Sequence, residues 1–251
     1  MQPEAPAQKP RRYRHLVRWI FIGILAILGW YGWKAYDFRR AIEEARGLGW
    51  KWSYNDPFAR IKENWKNGFR KETWKSTSRD LGISRDNKFE GHSDLVRRLN
   101  PTQISIENTF LGRDLSELKG LSDLTKLWLY KCPNLANIDA LKDMKDLSDL
   151  KISEAPVLLS IDALKDLKTL ERLDLFSCYG LTDLDALRDL ATLKTLIVIN
   201  CTRLKNVDGI LGLEGLQELD LYANGWLTKE TLTVVRSALP KTKISASYSE
   251  P

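Results

Sequence analysis

From Ile104 onward, apolar residues return every 23 positions without slippage, and no other feature of the sequence limits the fold as strongly. One column holds Ile104, Leu127, Leu150, Leu173, Leu196 and Leu219; two positions later come Ile106, Leu129, Ile152, Leu175, Val198 and Leu221. Three further columns keep the same interval: Leu118, Leu141, Leu164, Leu187 and Ile210; Leu121, Met144, Leu167, Leu190 and Leu213; Leu124, Leu147, Leu170, Leu193 and Leu216. Six copies are countable. A unit this short cannot bury its own leucines, so consecutive copies must stack and share one continuous core. Two apolar positions separated by one residue read as a short strand with alternate side chains turned inward.

In the order "LxLxxCxxLxxIDALxxLxxLxx", residues 104 to 226 resemble the leucine-rich repeat family, and the variant is similar to its bacterial internalin-like subclass. The resemblance implies an α/β solenoid. Each copy would give one strand to a parallel sheet on the concave side and return along the convex side. It also implies a role for the column of Cys132, Cys178 and Cys201, which aligns with Thr109, Ala155 and Asn224: there the family places Asn or Cys to hydrogen-bond the turn backbone.

Other chemistry is open to the three cysteines, but the residues around them give it little support. Zinc needs further ligands, and the only histidines, His15 and His92, lie outside the array. A disulfide between Cys178 and Cys201 is sterically reachable in an oxidising compartment, since adjacent strands lie about 4.8 Å apart. A second ladder, Asp139, Asp162, Asp185 and Asp208, invites a cation-binding reading. The stronger expectation is that each Asp caps a short helical turn, with Lys142, Lys165 and Arg188 offsetting the charge.

Strand alternation also nominates a docking surface. With Leu127 and Leu129 inward, Trp128 and Tyr130 face the concave side, and the same register adds Lys151, Asp174, Phe176, Ile197, Ile199, Asp220 and Tyr222. This mixture of aromatic, apolar and charged groups is what a protein-binding face requires. Aromatic and β-branched residues also simply suit strands, which is the competing explanation.

Charge divides the chain. Residues 1–100 hold 21 Lys or Arg against 11 Asp or Glu, while residues 101–251 hold 18 against 22. A basic N-terminal segment joined to a mildly acidic repeat body argues against nucleic acid as the partner. Residues 1–15 read as a disordered basic tail. Residues 16–34 read as a transmembrane signal-anchor helix: the run from Trp19 to Trp33 is free of charge, Trp19, Trp30, Tyr31 and Trp33 stand where interfacial aromatics belong, and Arg18 and Lys34 can reach headgroups. The apolar run is short for a spanning helix, but no small-residue cleavage site succeeds it.

Residues 35–100 read as a Trp-rich helical connector and N-terminal cap. Within it Asp56 and Pro57 open an amphipathic stretch carrying Phe58, Ile61, Trp65 and Phe69. The repeats are expected over 101–227 and a C-terminal cap and tail over 228–251. There Thr228 is placed as an N-cap, ahead of Leu232, Val235 and Leu239, and Ile244 falls 23 residues after Leu221.

No Ser–His–Asp set, phosphate-cradling loop or clustered metal ligands are present, so the sequence points to no catalyst, metal or cofactor. The resulting expectation is a single-pass membrane protein held in the bilayer by residues 16–34. Its N-terminus would lie inside and its repeats on the extracytoplasmic side, where they would bind a protein partner. Two rivals remain: an envelope scaffold without a specific ligand, and polyanion or lipid-headgroup binding by the basic segment 9–75.

Overall fold

Because equivalent inward residues recur at one interval, their strands can lie side by side with every backbone group in register. The computed structural model describes residues 12–54, 79–83, 91–107 and 112–247, with side chains described throughout these except at 12–25, 27, 28, 31 and 52–54. The described strands are β1 (Lys51–Tyr54), β2 (Arg79–Ile83), β3 (Gln103–Glu107), β4 (Lys126–Tyr130), β5 (Asp149–Ser153), β6 (Arg172–Phe176), β7 (Thr195–Ile199), β8 (Glu218–Leu221) and β9 (Lys243–Ala246). They form one sheet in sequence order. β1 runs antiparallel to β2, and every later pairing is parallel.

The register is the period itself: Ile104 pairs with Leu127, Leu127 with Leu150, Leu150 with Leu173 and Leu173 with Leu196. All these side chains are buried, as are the columns from the return segments, so the core is one unbroken apolar cylinder. Ahead of the strands runs a rail of backbone hydrogen bonds between successive coils. Thr125 N–H donates to Thr102 O (2.8 Å), Ser148 to Thr125 (2.8 Å), Glu171 to Ser148 (2.9 Å), Lys194 to Glu171 (2.8 Å) and Gln217 to Lys194 (2.8 Å). The rail gives these amides partners in the preceding coil, which helps make stacking at a constant step favourable.

Among the described residues, β4 to β8 are each left through a residue in the left-handed region: Lys131, Glu154, Ser177, Asn200 and Ala223, with φ between 52° and 58°. L-residues resist this conformation. It persists because it aims backbone donors at the next coil: Glu154 N–H reaches Phe176 O at 2.8 Å and Ser177 N–H reaches Ile199 O at 2.9 Å.

The sheet extends one copy further toward the N-terminus than the expected 101–227. Leu81 and Ile83, 23 residues before Ile104 and Ile106, are buried in β2, within a segment expected to be helical connector. Helix α2 (Ser93–Leu99) stands where later coils have only a 3-10 turn, and buries Leu95, Val96 and Leu99. The far end also departs from a strict interval. Ile244 in β9 pairs with Leu219 rather than Leu221, because the last coil, which carries helix α3 (Lys229–Ala238) in place of a 3-10 turn, is two residues longer than the 23-residue step. Thr228 does cap α3, its Oγ1 accepting from Thr231 N–H at 3.2 Å, and Leu232, Val235 and Leu239 are buried.

The aspartate ladder works differently from the capping expected of it. Asp139, Asp162, Asp185 and Asp208 are the first residues of the 3-10 turns, one position past the N-caps Ile138, Ile161, Leu184 and Val207, whose apolar side chains cap nothing. The aspartates' own N–H groups are instead held from two residues upstream, by Asn137, Ser160, Asp183 and Asn206. Three of the carboxylates pair one turn ahead with Lys142, Lys165 and Arg188, at 2.7, 2.6 and 3.2 Å.

Helix α1 (Arg12–Gly47) begins inside the expected tail of residues 1–15 and runs unbroken through 16–34. Among the described residues no helix is long and apolar enough to cross a membrane. Most side chains of the proposed anchor, Trp19 and Tyr31 among them, lie outside the described residues, as does the amphipathic stretch at 56–69. The C-terminal part of α1 docks on the open end of the solenoid: Ala41, Ala45 and, just past the helix, Trp50 are buried in the common core, with Phe38 and Ile42 packed against it. Arg98 of α2 clasps the helix, pairing with Asp37 at 3.1 Å and Glu44 at 2.9 Å.

Two substitutions test this account in urea unfolding. Leu173→Ala opens a cavity shared by three coils and lowers stability by about 2–5 kcal/mol. Ala223→Gly relieves the left-handed strain and raises stability by about 0.5–1 kcal/mol.

Candidate functional site

Side chains that alternate with the buried columns form three rows across the concave face, each at right angles to the strands. The first row holds Asp80, Gln103, Lys126, Asp149, Arg172, Thr195 and Glu218. The middle row runs Ser105, Trp128, Lys151, Asp174, Ile197 and Asp220. The third sets Tyr130, Ser153, Phe176 and Ile199 side by side, with Tyr222 immediately after β8. All nine candidate residues, Trp128, Tyr130, Lys151, Asp174, Phe176, Ile197, Ile199, Asp220 and Tyr222, therefore belong to one surface.

They are not equally presented. Tyr222 is 52% exposed, whereas Trp128, Tyr130, Lys151, Phe176, Ile197, Ile199 and Asp220 are half-buried. Asp174 departs most from expectation: it points to the concave side yet is only 3% exposed, because its neighbours close over it. Arg172 Nη2 donates to Asp174 Oδ2 at 3.1 Å, and Lys151 Nζ lies 3.5 Å from the same oxygen. Asp174 Oδ1 sits 3.0 Å from Arg172 Nε but off the N–H axis, so that contact is an ion pair and no hydrogen bond satisfies the oxygen. Two cations compensate one desolvated carboxylate, the arrangement that a buried charge requires.

Trp128 joins the same network. Its Nε1–H donates to Asp149 Oδ1 at 3.1 Å, and Lys151 Nζ lies 4.9 Å from the centre of its ring, within cation–π range. Burial, then the nearby Asp149, Asp174 and Glu107 carboxylates, hold the Tyr130 phenol above its ordinary pKa, so it stays neutral and able to donate. The middle of the face is thus a pinned polar and aromatic lattice, bordered by the apolar row of Tyr130, Phe176 and Ile199. Side chains already locked by their neighbours lose little freedom on binding, which favours a preorganised contact surface. The pairing of Asp174 with Lys151 and Arg172 was open to sequence reasoning, since they sit one coil and two residues away. Alternation alone does not show how completely they cover it.

The cysteine column lies behind this face. Cys132, Cys178 and Cys201 are buried free thiols. Cys178 Sγ approaches Phe176 O and Ile152 O at 3.6 and 3.8 Å, and Cys201 Sγ approaches Ile199 O and Leu175 O at 3.6 and 3.7 Å. Asn224 fills the same place in the last coil, its Nδ2 donating to Val198 O at 2.7 Å and its Oδ1 accepting from Cys201 N–H at 2.8 Å. Burial, helped by Glu154, pushes the Cys132 thiol up to about 12, and the neighbouring Cys201 thiol together with burial raises Cys178 as well. Among the described residues no group of three His, Cys, Asp or Glu is placed to hold a metal ion.

Raised thiols make a two-part prediction. Native protein at pH 8 incorporates no iodoacetamide at Cys132 or Cys178, while unfolded protein labels fully. Because unfolded Cys132 ionises near 9 and the folded thiol only near 12, its contribution to stability is complete below pH 9 and declines as pH rises from 9 to 12.

Residues 161–232 match the family model described as Zer-1-like, leucine-rich repeats. Among solved structures, a leucine-rich repeat protein of Leptospira interrogans aligns with a TM-score of 0.51 at 22% identity, covering 60% of this chain and 38% of that one. The present chain therefore spans well under half the length of that protein. Internalin C2 of Listeria monocytogenes aligns with a TM-score of 0.43 at 18% identity, over 67% of this chain and 80% of its own. No curated protein matches the sequence.

Proposed function

We propose that this chain, whose body is a leucine-rich repeat solenoid, is a single-pass membrane protein that binds a protein partner through its concave sheet. The observation that carries the reading is the pinned lattice of Trp128, Lys151, Asp174 and Arg172 beside the apolar row of Tyr130, Phe176 and Ile199. Rigid aromatic anchors among paired charges are the usual makings of a binding hot spot.

The anchor reading rests on the sequence of residues 16–34 and on the aromatic side chains at the C-terminal end of that run. Trp30, Trp33 and Tyr36 are exposed on α1 just before it docks on the solenoid. Exposed indoles and phenols at the end of an apolar run suit a membrane interface. On this reading α2 with the end of α1, and α3 at the other end, cover the two open faces of the core. The basic tail stays inside, and the repeats lie on the extracytoplasmic side. The internalin-like affinity of the repeats belongs to the same proposal.

Trp128→Ala combined with Phe176→Ala weakens capture of a discrete partner by about 30-fold or more while leaving the unfolding midpoint within a few degrees. Unchanged associations would favour a scaffold without a specific ligand. Protease added to intact cells should remove the repeat domain; protection of that domain would reverse the proposed orientation.

A further inference from the structure

Where α1 leaves the expected bilayer and meets the solenoid, a cavity of about 510 Å³ opens between α1, the start of β2 and the end of α2. Trp33, Lys34 and Phe38 line it from α1, Arg79 from β2, and Arg97 and Arg98 from α2. Four cations thus surround one hollow, and the carboxylate that also lines it, Asp37, is already engaged by Arg98. Its volume falls within the range of small-molecule sites, roughly 300–1,000 Å³.

The basic groups are positioned rather than loose. Lys34 Nζ lies 4.0 Å from the centre of the Trp30 ring, Arg97 is held by Asp94 at 3.1 Å, and Arg79 by Asp123 at 3.2 Å. The charge-free stretch of the sequence ends at Trp33, on the cavity's rim, so the hollow sits at headgroup level if α1 spans the bilayer.

We propose that this cavity receives a phosphate ester, the headgroup of an anionic phospholipid in the leaflet that α1 leaves. The proposal deepens the membrane-anchored reading and rests on it for the source of the ligand. Guanidinium groups suit phosphate oxygens, and the exposed indoles of Trp30 and Trp33 suit the acyl–headgroup boundary. Occupancy would tie α1, β2 and α2 together and fix the tilt of the solenoid over the membrane.

The test uses the full chain in neutral detergent, titrated with dioctanoyl phosphatidylglycerol, dioctanoyl phosphatidylcholine or glycerol phosphate, and read by native mass spectrometry with circular dichroism as the folding check. Phosphatidylglycerol should bind saturably and more tightly than phosphatidylcholine. Lys34→Gln with Arg97→Gln should weaken it by about 30-fold. Arg39→Gln with Arg40→Gln removes the same charge from exposed positions of α1 outside the cavity, and should change binding by about threefold or less. Equal losses in the two double variants, or no saturable binding, would overturn the site.

Glycerol phosphate binding as tightly as the lipid, with the same dependence on Lys34 and Arg97, would keep the phosphate site and assign it to a soluble ester. Carbonate extraction of membranes separates the two readings. A chain that washes off yet binds phosphate defeats the anchor alone; one that stays and binds none defeats the cavity alone.

Discussion

Stacking of equivalent leucines at a constant step, with the backbone rail that accompanies it, is the constraint on which the other features rest. Each coil contributes two apolar strand residues and several from its return segment, and these need a neighbouring coil to complete their burial. Once it does, Ile104, Leu127, Leu150, Leu173 and Leu196 line one interior, and the amides ahead of the strands find carbonyls 23 residues back. The left-handed residues at the strand exits belong to the same arrangement: local strain is tolerated because it places donors on the next coil.

That step also determines what the concave face can be. Neighbouring strands bring the side chains of one row within reach of each other, so a charge in one coil is answered by the next. Asp174 illustrates the consequence. A lone carboxylate on a strand would be solvated; here Lys151 from the preceding coil and Arg172 from its own strand cover it, and Trp128 is drawn into the same lattice. The face becomes a fixed pattern of paired charges and aromatic rings rather than a set of separately solvated side chains.

At the N-terminal end the same need to cover a core has a different solution. An open coil exposes Leu81, Ile83 and Leu95, and α1 answers by burying Ala41 and Ala45 there, small residues that let the helix approach closely. Arg98 then ties α1 to α2 with two carboxylates.

The sequence by itself determined the repeating unit, the inward columns, the parallel sheet and the list of residues on its concave side, because a strict interval dictates which side chains must share an interior. It also held signals that went unread: Leu81 and Ile83 continue the interval one copy earlier, where α2 replaces the familiar turn and blurs the other columns. The Asp139, Asp162 and Asp185 column looked like capping from residue type alone, whereas the geometry assigns that work to the side chains two residues before and turns the carboxylates toward Lys142, Lys165 and Arg188. Only the tertiary structure decided that Asp174 is covered, that Ile244 answers Leu219, and that Arg98 meets Asp37 and Glu44 across more than fifty residues of chain. Periodicity specifies which positions are equivalent; which unlike side chains come together depends on how coils and helices pack in space, and no interval in the sequence records that.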